Sequence, residues 1–248
     1  MGIKQTAAAV VNVVLRPIGA KGVPDITAAA DANKLFWEKT FLNWIAEAKA
    51  KGIDPNDVGD VAWANDPLRE ALERFYLPHV KKNSVVLELG PGTGRMTRHL
   101  IGRCAKIIAV DYSQVVCDHM KDYLRGKCDF SVLHIKQPTV PSLTNESVDA
   151  CLANGVFEHL DPEETMWFFE DFFRVLRPNG AVVVNFNNLM SEEGMAWLRE
   201  YRGEPGQRCI FRFYHPEMMA ALGVNCGFRV HKLTSDRSRF ATIELMKS

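Results

Sequence analysis

Residues 84–100 read SVVLELGPGTGRMTRHL. An apolar run ends in three glycines at alternate positions, Gly90, Gly92 and Gly94, and a helical pattern follows. Glycine at a strand-to-helix turn accepts positive φ and lets a ligand approach the backbone closely. The free N–H groups at the start of the next helix attract a carboxylate or a phosphate. This stretch therefore predicts a site for a small anionic cofactor.

The composition narrows the possible partners. The chain has 248 residues, 47% of them hydrophobic, which is enough for one α/β domain with an appendage. Its 30 Lys and Arg balance 30 Asp and Glu, so no global field attracts a phosphate backbone. We therefore expect no nucleic-acid partner. We also expect no integral membrane span, because no apolar run reaches the roughly 18 residues that one needs.

The six cysteines include no C-x-x-C pair, and most of them lie inside apolar runs. This pattern is typical of reduced thiols buried in a protein core. We expect neither a metal site nor disulfides, and a cytoplasmic location.

The N-terminal 22 residues contain a short apolar segment that Asn12 interrupts, which makes a poor signal peptide. We interpret this segment as a short amphipathic helix that packs on the domain or makes peripheral contact with a membrane surface. From about residue 28 to residue 80 the pattern is helical and rich in aromatic side chains, among them Phe36, Trp37, Phe41, Trp44, Trp63, Phe75 and Tyr76. Such residues either pack a helical lid onto the main domain or face a substrate. We assign residues 1–81 to this helical segment.

After Lys82 the period changes, and apolar strands alternate with helices up to the C-terminus. Alternation of this kind predicts a doubly wound α/β fold, with a mostly parallel sheet and helices on both faces. The last two strands, within FRVHKLT and FATIELMK, are separated by only a short polar turn, so the last strand is expected to be antiparallel. We assign residues 82–248 to this domain.

The glycine spacing distinguishes two cofactor families. A dinucleotide fingerprint G-x-G-x-x-G would need glycine where Arg95 stands. The observed G-x-G-x-G, with Glu88 before it and Asp111 about twenty residues later, resembles the class I S-adenosylmethionine (SAM) dependent methyltransferases. The likeness extends to residues 145–160, NESVDACLANGVFEHL, and to residues 172–184, FFRVLRPNGAVVV, which resemble the fourth strand of that family and the helix, turn and fifth strand after it.

The resemblance implies a seven-stranded sheet and SAM as cofactor, with S-adenosylhomocysteine (SAH) as product. It implies that Asp111 accepts hydrogen bonds from both ribose hydroxyls. Near the adenine the chain departs from the family pattern and offers Lys136 or Gln137. The cofactor-binding residues implied in this way are Glu88, Gly90, Gly92, Thr93, Gly94, Asp111, Tyr112, Gln137 and Asn154.

Missing motifs narrow the acceptor. The fourth strand lacks the D/N-P-P-Y/F sequence used on amide-like nitrogens, and no Pro-Cys pair offers a thiolate to cytosine. We therefore expect a small-molecule or glycan acceptor. Residues 10–23, VVNVVLRPIGAKGV, resemble the leader of some methyltransferases encoded with bacterial polysaccharide enzymes, which favours a sugar hydroxyl.

His159 is the candidate general base, because it follows the fourth strand at the carboxyl edge, where doubly wound sheets bind ligands. The alternative is that it caps the next helix or packs on the sheet. Glu158 either orients His159, binds the acceptor, or is a solvated carboxylate at a helix start.

Four further residues at the same edge are candidate substrate ligands: Asn185, Asn187, Tyr214 and His215. The asparagines after the fifth strand either bond polyol hydroxyls or satisfy their own turn. His215 precedes Pro216, an arrangement that also suits a helix entry.

Three other functions compete with O-methylation of a sugar or glycan. One is methylation of an amine or a quinone-type phenol, and another is a SAM-binding interaction module without catalysis. The third, a nicotinamide oxidoreductase, is disfavoured by Arg95. The oligomeric state does not follow from the sequence.

Overall fold

The computed structural model describes residues 26–54, 68–201, 210–235 and 238–248, with side chains from Asn33 onward. The predicted amphipathic helix within residues 1–22 and the aromatic Trp63 lie outside the described residues.

The N-terminal helical pattern is present where the structure describes it. Helix α1 (Ile26–Lys51) ends at Gly52, whose φ of 64° lets Ile53 N–H return to the carbonyl of Ala48 at 2.9 Å. Helix α2 (Leu68–Ala71) continues as a π-helical turn over Leu72–Tyr76 and a 3-10 turn over Leu77–His79. These turns lead directly into the sheet.

The strands are β1 (Val85–Leu89), β2 (Lys106–Asp111), β3 (Asp129–His134), β4 (Val148–Ala153), β5 (Leu176–Asn188), β6 (Phe213–Tyr214), β7 (Arg229–Thr234) and β8 (Phe240–Met246). The remaining helices are α3 (Thr97–Leu100), α4 (Gln114–Leu124), α5 (Pro162–Val175), α6 (Glu192–Tyr201) and α7 (Pro216–Asn225).

Among the described residues the strands form one sheet in the order β3-β2-β1-β4-β5-β8-β7, and β6 adds a short pairing to β5. Neighbours from β3 to β5 run parallel, while β8 is antiparallel to both β5 and β7. The predicted doubly wound, mostly parallel sheet with an antiparallel last strand is confirmed. The two-residue β6 was not expected, because so short a strand leaves no period in the sequence.

The β4–β5 pairing contains one irregularity. Val148 pairs with Leu176, but Ala150 pairs with Ala181, so β5 carries three extra residues there. Asn179 takes a φ of 64° in this stretch, and its N–H bonds the carbonyl of Lys247 at 2.8 Å. The turn expected before the fifth strand is thus a bulge inside it.

Alternate residues of each strand face opposite layers of the core. Leu87 and Val182 pack with the aromatic face of α5, which buries Phe168, Phe169 and Phe172. Residues one position away, such as Val86 and Val183, pack on the other face with α3, α4 and the N-terminal helices. The two layers fix the sheet, and its carboxyl edge stays free for the loops.

Two helices that start at this edge, α4 and α5, have side-chain N-terminal caps. Asp161 accepts from the N–H of Glu164 at 3.0 Å, and the Glu164 carboxylate accepts from the N–H of Asp161 at 3.1 Å, with Pro162 in the first turn. Ser113 caps α4 through the N–H of Val116. These caps fix where each loop leaves the edge.

Replacement of the α5 cap should reduce stability. Asp161→Ala leaves the first-turn N–H of Glu164 without its acceptor, so we expect a loss of about 1 kcal/mol in the free energy of unfolding. Urea denaturation measures it, and Glu163→Ala, an exposed first-turn change, is the control. Equal effects of the two changes would contradict a capping role.

Candidate active site

A cavity of about 520 Å³ lies at the carboxyl ends of β1, β2 and β4. Helix α1 forms its opposite wall. Ten of the residues predicted from the sequence line it: Glu88, Gly90, Gly92, Thr93, Asp111, Tyr112, Asn154, Glu158, His159 and Asn185.

The glycine turn has the backbone geometry that its spacing predicts. Gly90, Gly92 and Gly94 have φ values of 67°, 54° and 91°. A Cβ on Gly90 would lie 2.4 Å from Cγ2 of Val156, whereas a Cβ on Gly92 would meet nothing within 4 Å. The first glycine therefore allows the β4–α5 loop to approach, and the second leaves space for a ligand at the backbone.

Two alanine substitutions separate backbone strain from steric overlap. Gly126 has a φ of 74° and open space around it, so Gly126→Ala should cost about 1 to 2 kcal/mol for the left-handed backbone alone. Gly90→Ala adds the overlap with Val156, worth about 1 to 3 kcal/mol more. Thermal or urea unfolding of both variants measures the difference. Equal losses would show that the contact with Val156 is unimportant.

Two buried carboxylates stand at neighbouring strand ends. Glu88 is 1% exposed, and its Oε2 has no hydrogen-bond partner among the described residues. Burial raises the pKa of Glu88 to about 7, against a smaller opposing effect of Thr97. Burial likewise raises the pKa of Asp111 to about 7, although its Oδ1 accepts from the N–H of Ser113 at 2.8 Å. Both groups gain from a ligand that stabilises their charged forms.

Tyr112 and Asn154 complete this half of the cavity. The Tyr112 hydroxyl is buried without a partner in the described chain, and burial raises its pKa well above the usual range. Asn154 donates to the hydroxyl of Tyr76 at 3.2 Å, and that hydroxyl donates to the carbonyl of Ala153 at 3.2 Å. The contribution of Tyr76 was not predicted, because it comes from a helical segment 78 residues away.

Gly94 and Gln137 do not line the cavity. A Cβ on Gly94 would instead lie 2.9 Å from the ring of Tyr123, so this glycine serves helix packing. Gln137 is exposed, and its neighbour Lys136 lines the cavity.

His159 lies at the other half of the cavity and is 8% exposed. Its Nδ1 lies 2.8 Å from the carbonyl oxygen of Ile210. Because a carbonyl only accepts, Nδ1 carries the proton in a neutral ring and Nε2 keeps the lone pair. Nε2 lies 3.4 Å from Oε1 of Glu158. The ring also contacts Trp37 and Phe211, with centroids 4.7 and 5.0 Å away.

The carbonyl that orients His159 is itself held in place. The hydroxyl of Tyr201, on α6, accepts from the N–H groups of Ile210 and Phe211 at 3.1 and 3.2 Å. Asn33, on α1, donates to the main-chain carbonyl of His159 at 3.0 Å. His159 is therefore held at its main chain by α1 and at its ring by Ile210, whose segment α6 supports.

Of the candidate substrate ligands, only Asn185 lines the cavity, and its Oδ1 accepts from the N–H of Gly155 at 2.7 Å. Asn187 is fully buried and donates to the carbonyl of Arg212 at 3.0 Å. The Tyr214 hydroxyl donates to the carbonyl of Leu160 at 2.7 Å. His215 caps α7 by accepting from the N–H of Glu217. The structure does not bring these last three side chains to the cavity.

Helix α1 contributes five residues to the cavity: Asn33, Lys34, Trp37, Phe41 and Trp44. The sequence predicted that the aromatic residues of this helix either pack a lid or face a substrate, and Trp37, Phe41 and Trp44 line the cavity. Asn33 and Lys34 were missed, because polar residues on a helix carry no local motif for a site that is distant in sequence.

Comparison with known proteins gives evidence on the family. A family model described as a methyltransferase domain matches residues 86–180. An uncharacterized methyltransferase-like protein of Schizosaccharomyces pombe is 33% identical over 163 residues, which are 65% of this chain and 56% of that protein. A carboxy-S-adenosyl-L-methionine synthase of Vibrio cholerae is 25% identical over 121 residues, 49% of each chain.

Solved structures agree on the fold. A SAM-dependent methyltransferase from Aquifex aeolicus superposes with a TM-score of 0.55 at 19% identity, covering 77% of this chain and 98% of that one. The chain therefore has the fold of the SAM-dependent methyltransferases and matches a methyltransferase domain over residues 86–180. It spans about half the length of the curated relatives that it matches.

The residues that line the cavity fit SAM. SAM supplies an electrophilic methyl group on a sulfonium. Glu88 offers a buried carboxylate oxygen without a partner in the described residues, which suits the ammonium group of SAM. Asp111 offers a carboxylate at the end of β2 for the ribose hydroxyls, and the open space at Gly92 admits the ligand to the backbone.

Within the described residues, no helix is long and apolar enough to cross a membrane.

The raised pKa values predict that cofactor binding releases protons. Glu88 and Asp111 titrate near pH 7 in the free protein, and a bound cation and diol favour their carboxylate forms. SAH affinity should therefore fall as the pH drops below about 7. Calorimetry in buffers of different ionisation enthalpy should detect the released protons at pH 6.

Asp111→Asn should remove part of that proton release and weaken SAH binding about tenfold or more. By linkage, the folded protein without ligand binds more protons than the unfolded chain between about pH 4 and pH 7. The contribution of Glu88 and Asp111 to the free energy of unfolding therefore decreases as the pH rises from about 4 to about 7. Proton release that is unchanged in Asp111→Asn would remove Asp111 from the cofactor site.

Proposed function

We propose that the protein transfers the methyl group of SAM to a hydroxyl of a small molecule or glycan, that the acceptor is a sugar hydroxyl, and that His159 is the general base. The observation that carries this proposal is the 2.8 Å contact between Nδ1 of His159 and the carbonyl oxygen of Ile210. The bond to the carbonyl of Ile210 keeps the proton on Nδ1, so Nε2 is available to accept one at the cavity.

A sugar hydroxyl needs this kind of help. When the hydroxyl oxygen displaces SAH from the methyl group, the product is a protonated ether unless the hydroxyl proton leaves as the new O–C bond forms. Nε2 of His159 accepts that proton, and the nearby Glu158 carboxylate, 3.4 Å away, stabilises the resulting imidazolium. A general base of this type contributes about 10²- to 10⁴-fold.

The surroundings of His159 support the same role. The rings of Trp37 and Phe211 lie against the imidazole, and His159 is buried. Where little water reaches Nε2, few groups other than the hydroxyl of the methyl acceptor can give it a proton.

Two alternatives make different predictions. For an amine or a phenol acceptor, which loses its proton more easily than a sugar hydroxyl, the base matters less. A SAM-binding interaction module would bind SAH without turnover. Carboxy-S-adenosyl-L-methionine synthases among the relatives keep open a different use of SAM.

We further propose that residues 1–81 act as a lid on residues 82–248 and that the protein is cytoplasmic. The lid proposal is supported by the α1 residues in the cavity wall. The location is supported by the free cysteines Cys104, Cys117, Cys128, Cys151 and Cys226.

The test is methyl transfer to a panel of sugars, nucleotide sugars, amines and catechols, followed by mass spectrometry. His159→Ala should keep SAH affinity within about twofold and reduce turnover about a hundredfold or more, because it removes only the base. His231→Ala, at an exposed position on β7, is the matched control. If His159→Ala retains turnover, another group accepts the proton.

A further inference from the structure

Five buried polar atoms in residues of the cavity wall have no hydrogen-bond partner among the described residues: Asn33 Oδ1, Trp37 Nε1, Glu88 Oε2, Tyr112 Oη and Glu158 Oε2. Buried polar groups in native proteins are nearly always paired, so such a concentration in one wall needs an explanation. A molecule in the cavity that offers hydrogen-bond donors and acceptors would supply partners to this wall.

The five atoms divide between the two halves of the cavity. Glu88 and Tyr112 lie at the ends of β1 and β2, on the cofactor side. Asn33, Trp37 and Glu158 each contact His159: the Asn33 amide bonds its carbonyl at 3.0 Å, the Trp37 ring lies 4.7 Å from its ring, and Glu158 Oε1 lies 3.4 Å from its Nε2. The second group therefore surrounds the proposed base.

On the basis of the proposed function, we propose that Asn33, Trp37 and Glu158 form the recognition site for the acceptor. We infer that this site takes a polyol with at least two hydroxyls besides the one that is methylated, as in a sugar ring.

The number of donors and acceptors leads to this class. The Asn33 oxygen and the free Glu158 oxygen accept, and the indole N–H of Trp37 donates. The orientation of the Asn33 amide is fixed, because its nitrogen must face the carbonyl of His159. Each hydroxyl has one proton to donate, so two separate hydroxyls are needed for the two acceptors. One of these hydroxyl oxygens accepts from Trp37.

Other acceptors leave a group unpaired. A catechol has only one hydroxyl besides the one that is methylated, and a simple phenol has none. A primary ammonium donates but cannot accept from Trp37. The three atoms are buried without a partner among the described residues, and the residues that carry them line the cavity. A site built around substrate hydroxyls rejects analogues that lack them.

The Trp37 indole N–H gives a direct readout of binding. The chain has five tryptophans, so a ¹⁵N spectrum of the SAH-loaded full chain should show few indole signals, and Trp37→Phe assigns one of them. The probes are glucose, galactose, mannose, their nucleoside diphosphate derivatives, catechol and ethylamine, an amine without a hydroxyl. We expect the Trp37 signal to shift with at least one sugar probe and not with ethylamine.

Turnover gives the second readout. Trp37→Phe keeps an aromatic ring beside His159 but removes the N–H, so kcat/KM for the active sugar should fall about tenfold or more. For the wild-type protein, kcat/KM should fall similarly when the sugar is replaced by an analogue that lacks one neighbouring hydroxyl. If Asn33 pairs with that hydroxyl, Asn33→Ala should reduce kcat/KM for the analogue less than for the parent sugar. Trp167→Phe, an exposed tryptophan on α5, is the matched control and should retain full activity.

The outcomes separate this inference from the proposed function. Methylation of catechol or ethylamine that Trp37→Phe and Asn33→Ala do not reduce would overturn the polyol inference and the sugar acceptor, while methyl transfer from SAM stands. Methylation of a sugar without loss in these variants would remove Asn33 and Trp37 from recognition. No product and no shift with any probe, while SAH still binds, would overturn both proposals.

Discussion

The close approach of Gly90 to Val156 is the contact on which the site depends. It brings the loop after β4 against the turn after β1, which a side chain at position 90 would prevent. The same loop continues into Glu158 and His159, so the contact joins the cofactor side of the cavity to the proposed base. The sheet supplies the strand ends, but this packing makes them part of a single site.

The electrostatic character of the site changes across the cavity. On the β1 and β2 side, burial raises the pKa of Glu88 and Asp111. A ligand that carries a cation and a diol would stabilise the charged forms of both carboxylates. On the β4 side, Glu158 stands beside an imidazole whose tautomer is set by a main-chain carbonyl. Helix α1 reaches both sides, since Lys34 and Glu38 influence Asp111 while Asn33 bonds the carbonyl of His159.

Much of this could be predicted from the sequence, because the signals are local. The period-2 runs, the glycine turn and the capping residues Ser113 and Asp161 each lie within a few residues of the structure that they specify. The rule that ligands bind at the carboxyl edge identified Asn187 and Tyr214 as candidates. That rule does not say which way a side chain turns, and both side chains satisfy main-chain carbonyls inside the protein instead.

The contributions that the sequence did not reveal all cross long stretches of chain. Asn33 is hydrogen-bonded to His159, which is 126 residues away in the sequence, and Tyr76 is hydrogen-bonded to Asn154, which is 78 residues away. Neither residue belongs to a motif.

This separation has an evolutionary consequence. The groups that would hold SAM stand at the strand ends of the sheet, whereas Asn33 and Trp37 stand on α1, which precedes the residues that match the methyltransferase domain. Under the proposed division of roles, substitutions on α1 would change the acceptor and leave the strand ends at the cofactor side unchanged.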